Sequence, residues 1–372
     1  MKLIQFELKK IIFSKRFLYL MAFIILCISA LFLRNHIFQV TIEKEREQHI
    51  LSTIQEGQRH ISELQLSLEA NPQDEIAKTK ILKMDQIVNT LYGVQKALDA
   101  GDWQQELQLE NHFLTQLQEY KSTDGEFSIL NEDIKKTLAL NAEHLASNIK
   151  PEHETYSTAL PNFMKQIVDI FVNFGAILVL LIMVGDILTK EFKQRSIQFL
   201  YTQPLKRSAI LHSKFWCAVV IYGVITFCSL LVAGGISFLF GEQGTFSYPV
   251  LLEQNDVFSF MTIKEYLVFA LASVTAMILL VLVLCLFVSL MFKHTLVSLL
   301  TVLVLLLGGY TLFEQLSFTS IEWLNPFQYV LVKETLSAMG YNWYKGIGIT
   351  IAVALLCYLL SLWRIRFVRM LT

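Results

Sequence analysis

Charge is sparse in this chain. Aspartate, glutamate, lysine and arginine make up 17% of its 372 residues, against 54% hydrophobic residues. Soluble domains carry about 25% charged residues, so an ordinary soluble domain is excluded and an integral membrane protein is expected. Cysteine is scarce as well. The five copies, Cys27, Cys217, Cys228, Cys285 and Cys357, all lie in apolar runs, and none falls between positions 39 and 160. A disulfide framework and a zinc-type spacing are both ruled out, and these residues read as small buried hydrophobes. No G-x-x-x-x-G-K-[ST] loop, nucleophile elbow, paired intramembrane aspartates or H-E-x-x-H helix occurs. The sequence therefore reads as a non-enzyme with no metal site and no cofactor of its own. Ionisable groups are also missing from the middle of the long apolar runs, where proton- and ion-coupled carriers keep them. Energy for any transport has to come from another chain.

What charge there is lies unevenly. Residues 39–160 hold 21 acids and 11 bases, a balance of −10; the rest hold 11 acids and 20 bases, a balance of +9, and the two sum to the net −1. An acidic insert sits in a basic, apolar body, with no basic face for nucleic acid phosphates. Six of the eight histidines (His36, His49, His60, His112, His144 and His153) fall at or after the end of the first apolar run without any ligand-like pairing. They read as scattered surface residues.

The apolar runs predict six transmembrane helices, at 17–33, 167–188, 215–240, 266–292, 295–313 and 347–363, each long enough for a hydrocarbon core of roughly 30 Å. Ahead of them, residues 1–16 are short, basic and amphipathic. Leu3, Ile4, Phe6, Ile11 and Ile12 form the apolar side and Lys2, Lys9, Lys10, Lys15 and Arg16 the polar one, as in a helix lying at the inner interface. The insert shows helical periodicity, with Ile54, Ile61 and Leu68 seven apart and Met84, Ile87, Leu91, Val94 and Leu98 at steps of three and four. Breaks at Asn71-Pro72, Gly101-Asp102 and Ser122–Gly125 leave about four helices. The expected fold is an all-α integral membrane protein. It divides into 1–38 (interfacial helix and first span), 39–160 (extracellular helical domain) and 161–372 (a body of five further spans with a cytoplasmic loop at 189–214). Lys/Arg excess marks cytoplasmic loops, and this arrangement puts both termini and the basic loops inside.

The basic loop between the second and third spans carries Lys190, Lys193, Arg195, Lys206, Arg207 and Lys214 against Asp186 and Glu191. Phe192, Ile197, Phe199 and Leu200 give its middle a short amphipathic helix, and Pro204 closes it. The order Glu191, Arg195-Ser196, Leu200, Thr202, Pro204, Arg207, Lys214 resembles the corresponding loop of ABC-2-type permeases, with Arg195 where that pattern has glycine. The stretch containing Trp323, Pro326, Phe327 and Tyr329 is similar to the aromatic re-entrant segment between the last two spans of that family; an interfacial aromatic belt reads equally well.

The resemblance covers about 1–38 and 161–372; the large insert departs from the compact polysaccharide-exporting members and looks more like the permeases of Gram-positive peptide, antibiotic-resistance and immunity exporters. It implies an exporting transmembrane subunit in the plasma membrane, with ATP and magnesium bound by separate ABC ATPase subunits. A second permease, identical or paralogous, and membrane lipid are the other implied partners. Glu191 and Arg195 would make polar contacts to the ATPase and Phe199 and Leu200 would pack on it. Pro204 would set the exit angle, and Arg207 and Lys214 would anchor the loop at the inner leaflet; Ser196, standing where the family pattern has threonine, is counted with the coupling residues. Two alternatives stand beside this: an ABC-type complex that transmits force through the ectodomain to a cell-envelope partner, and a membrane-anchored receptor or scaffold. No residue identifies a substrate site.

Overall fold

The computed structural model describes residues 2–171, 175–184, 206–254, 257–292, 294–315, 324–327 and 343–367. The chain is mostly helical. Helix α1 covers Lys2–Ile12 and α2 runs without a break over Lys15–Ala70. Ser14 separates them: its hydroxyl accepts the Phe17 amide at 3.2 Å, supplying the N-cap of α2. At 56 residues, α2 is roughly 84 Å long. Its first turns are apolar on all sides and its last turns are polar.

Helices α3 (Glu75–Ala100), α4 (Trp103–Lys121) and α5 (Asn131–Ser147) follow. Two adjacent residues make the α3–α4 corner. Gly101 ends α3 with φ of 70°, a left-handed conformation that costs glycine little. Asp102 then caps α4 by accepting the Gln105 amide at 3.1 Å. The second half of α2 packs with these helices around Ile54, Met84, Ile87, Leu91, Phe113 and Leu117.

The remaining helices are α6 (Leu160–Ile170), α7 (Ala176–Val184), α8 (Arg207–Phe240), α9 (Ile263–Phe292), α10 (Thr295–Gln315) and α11 (Trp343–Phe367). They form a second, larger core with the first half of α2, in which Phe32 meets Phe163 edge-on at 5.3 Å. Five helices, α2, α8, α9, α10 and α11, are long and apolar enough to cross a membrane. Helix α9 is the centre of this body: 78% of its most apolar window is buried, against 17–33% for the other four. Those four turn Leu26, Phe227, Leu300, Val304, Leu355 and Leu359 outward, as contact with lipid rather than water requires.

Two features depart from expectation. Residues 207–214, read from sequence as loop, are helical and form the first two turns of α8. The fold is also not purely helical. Strands β1 (Pro249–Gln254) and β2 (Val257–Thr262) pair antiparallel, with Pro249 opposite Thr262 and Gln254 opposite Val257, and lead directly into α9. Val250, Leu252 and Met261 of this hairpin join the body's core.

Candidate functional site

Two polar constellations stand out in an otherwise apolar body, one at each end of it. The first gathers at the base of α8. Lys214 is 1% exposed, and its Nζ lies 3.5 Å from Glu7 Oε1 of α1, itself nearly buried. Each charge is tolerable there because the other offsets its desolvation. Around the pair, Leu211 of α8 packs with Leu286 and Leu290 of α9 and Ile365 of α11. His212 bonds the Tyr358 hydroxyl, and Arg207 Nη1 donates to the Arg366 carbonyl at 3.4 Å. The base of α8 is thus fastened to three other helices.

Of the residues singled out in the basic loop, Arg207 and Lys214 lie within this base. Lys214 does not reach toward a surface, where the sequence reading placed it; it is buried against α1. Glu191, Arg195, Ser196, Phe199, Leu200 and Pro204 lie outside the described residues. So do Trp323 and Tyr329. Pro326 and Phe327 are described: the Phe327 ring fills the space beside Gly309 of α10 and leaves no room there for a Cβ. The Pro326 carbonyl accepts Thr350 Oγ1 of α11 at 3.3 Å. Asn325, buried, accepts the Phe327 amide at 2.9 Å and closes this turn.

The second constellation surrounds residues 149–159, which connect α5 to α6. Lys165 of α6, with a 6% exposed side chain, holds Glu154 and Asp169 at 3.2 Å each. Tyr266 of α9 donates to Asp169 at 2.5 Å and offers its ring face to Lys165 at 5.2 Å. Burial alone would pull the Lys165 ammonium down, but the two carboxylates outweigh this and hold it above the ordinary lysine value. Asn35 of α2 is wholly buried; its amide donates to the Ser157 carbonyl at 3.0 Å and to Gln166 at 2.7 Å. Arg34 donates to the Thr155 carbonyl at 3.0 Å and lies over the Tyr156 ring. Ser237, near the end of α8, donates to the Thr158 carbonyl at 2.5 Å. Tyr248, just before β1, accepts the Glu152 amide at 3.0 Å and packs against His144 of α5. His144 is buried, contrary to its reading as a surface residue, and burial lowers its affinity for a proton.

Sequence reasoning missed Glu7, Asn35, Glu154 and Tyr266. A signal existed for two of them. Glu7 shares the helical stripe of Leu3 and Ile11, and Asn35 continues the buried stripe Ile24, Ile28, Phe32. A polar residue on an apolar stripe needs a buried partner, though the stripe does not say which.

Neither constellation has the layout of a catalytic centre. Among the described residues no cluster of histidine, cysteine, aspartate or glutamate could hold a metal ion. Polar groups meeting at both ends of a body whose apolar helices face outward define a multi-pass helical membrane protein. A family model described as "ABC-2 family transporter protein" matches residues 1–370. The chain belongs to that family of transporter transmembrane components. Comparison with curated proteins and with solved structures gave no match.

Proposed function

We propose that this chain is the permease subunit of an ATP-driven exporter, working with separately encoded ABC ATPase subunits that bind ATP and magnesium. The family match along nearly the whole chain carries this reading. Positive-inside charge supports six spans, the second being the run 167–188, with both termini in the cytoplasm and the α2–α5 bundle outside. The species exported would be a peptide, antibiotic or other amphipathic molecule, and the cell a Gram-positive bacterium. A second permease, identical or paralogous, would complete the pathway, since six spans enclose too little space for one.

In this mechanism closure of the ATPase pair pushes on the 191–207 segment. Glu191 and Arg195 supply the polar contacts, with Ser196 in the turn between them and the packing face. Phe199 and Leu200 supply that face, and Pro204 the exit angle. The push enters α8 at Arg207, and the helix base, tied through Lys214 to α1, moves with it. ATP binds the two states with different affinity, which is what coupling requires. Glu191→Ala and Arg195→Ala should each uncouple ATP hydrolysis from transport while leaving membrane insertion intact. Retained coupling in both variants would remove these residues from the mechanism. The broader test is purification in mild detergent from the native cell. A P-loop ATPase should accompany the chain and be lost when 191–207 is altered; a kinase or wall enzyme without an ATPase would sink the exporter reading.

A second reading has one observation in its favour. Helix α2 runs unbroken from the membrane body into the bundle, as expected if the bundle's movement is itself the output that regulates a cell-envelope partner.

A further inference from the structure

An insert joined to a membrane body by two chain crossings is free to swing if either crossing is a loose linker. Here one crossing is the continuous helix α2. The other, residues 149–159, has no regular structure, and irregular chain of that length usually moves independently of what it joins. Its backbone carbonyls are nevertheless claimed in turn by side chains from several elements. Arg34 and Asn35 of α2 take those of Thr155 and Ser157, and Ser237 of α8 takes that of Thr158. Lys165 holds the Glu154 carboxylate onto α6. Ser157 and Thr158 are 5% and 2% exposed, so the bonds to their two carbonyls are shielded from competing water, and a buried carbonyl that lost its donor would be left unsatisfied.

We infer that residues 149–159 act as a strap that locks the α2–α5 bundle and the adjoining ends of α6, α8 and α9 into one rigid block, with Asn35 and Lys165 as its positioning residues. The bundle then follows every tilt of α6 and cannot open or close over the body as a hinged cap. A rigid outer block suits two tasks: holding a fixed wall at the exit of the pathway, or turning a membrane-helix movement into a displacement far outside it. The lock rests on the bonds above; only its motion during ATP use rests on the permease reading.

Hydrogen exchange on the full chain in lipid nanodiscs tests the lock without any partner. Amides of 149–159 should exchange nearly as slowly as those around Leu91 and Leu117 in the bundle core. Asn35→Ala should speed the strap roughly tenfold or more while leaving the bundle core slow. Strap amides that exchange at the rate of free chain, or that ignore Asn35→Ala, overturn the inference. Should Asn35→Ala disturb the whole fold, a milder variant decides. Gln39→Ala removes the bond from its amide to Thr158 Oγ1 at 3.1 Å and should leave the strap amides slow, because the bonds to the strap carbonyls remain. Strap amides that exchange at the rate of free chain in this variant overturn the lock. A last arm adds the co-purified ATPase and spin labels at Tyr92→Cys in the bundle and Val268→Cys on α9, both exposed positions. Their separation should stay constant when ATP is supplied, and a change overturns rigidity. A chain that draws no ATPase defeats the permease reading, while the exchange result still decides the lock.

Discussion

Two buried lysines mark the ends of the membrane body, and they are accommodated in different ways. Lys214 faces Glu7 across 3.5 Å with both side chains under one-tenth exposed. Lys165 holds two carboxylates at 3.2 Å, and one of them, Glu154, is 69% exposed. The first site is closed to solvent, so each charge relies on protein partners, and Glu7 is one that Lys214 keeps. The second opens to solvent on one side, and its anions have other support: Asp169 keeps the Tyr266 hydroxyl, and water reaches Glu154. A sealed pair of this kind adds little stability over a well-packed apolar pair, but it penalises any state in which the two helices separate. An open cluster adds stability without imposing that condition.

The sharpest way to break the comparison is to remove one charge at the sealed site. Lys214→Met leaves Glu7 buried beside apolar neighbours and should cost about 3–5 kcal/mol, seen as a large fall in thermal stability in nanodiscs. The double variant Glu7→Leu/Lys214→Met should recover most of that loss. If the single variant proves harmless, the pair is not sealed.

At the open cluster Lys165→Met should cost less, about 1–3 kcal/mol, because both anions keep a partner or water. Its pH dependence has a definite sign. The native lysine is held above its ordinary value of 10.5, so its contribution is fully present below pH 10.5 and fades only as pH rises through the native value. Wild type and Lys165→Met should therefore differ by a constant amount from pH 6 to pH 9. A difference that titrates in that interval would mean the ammonium is not what holds the carboxylates.

The smallest effect belongs to His144, at the edge of the same end. The unfolded imidazole takes up a proton near its ordinary value of 6.5, while burial keeps the native one neutral to lower pH. Stability should fall as pH drops below 6.5, and His144→Phe should flatten part of that slope in melting curves taken from pH 7.5 to 5.5. An unchanged slope would show that the native ring is protonated as readily as the unfolded one.

Much of this architecture was legible in the sequence, because hydropathy and helical period act locally. The apolar runs mark the five long helices, and the Gly101-Asp102 break falls at the α3–α4 corner. The hairpin at 249–262 escaped notice although Val250 and Leu252 alternate and Asn255-Asp256 is a turn-forming pair. Leu251 and Phe260 on the opposite face obscured the alternation. What no local pattern reveals is pairing at long range. Glu7 reads as one acid in a basic helix and Lys214 as one base in a basic loop, and only the packing of α1 on α8 makes them partners. The strap is the extreme case, since the mostly polar run IKPEHETYSTA with its one Pro reads as linker until its carbonyls are seen to be claimed.

The bond from Asn35 to Ser157 spans 122 residues, and this bears on how the chain is made. At a synthesis rate of roughly 5–20 residues per second, Asn35 is made with its helix several seconds before Ser157 exists. Closing so long a loop has an entropic cost that grows with the logarithm of its length, and the apolar cluster shared by α2, α3 and α4 offsets it by collapsing the intervening chain. The bundle is thus placed to act as a folding template. It brings the Asn35 turn of α2 to the site where α6 will dock, so that the later helices assemble onto a finished surface.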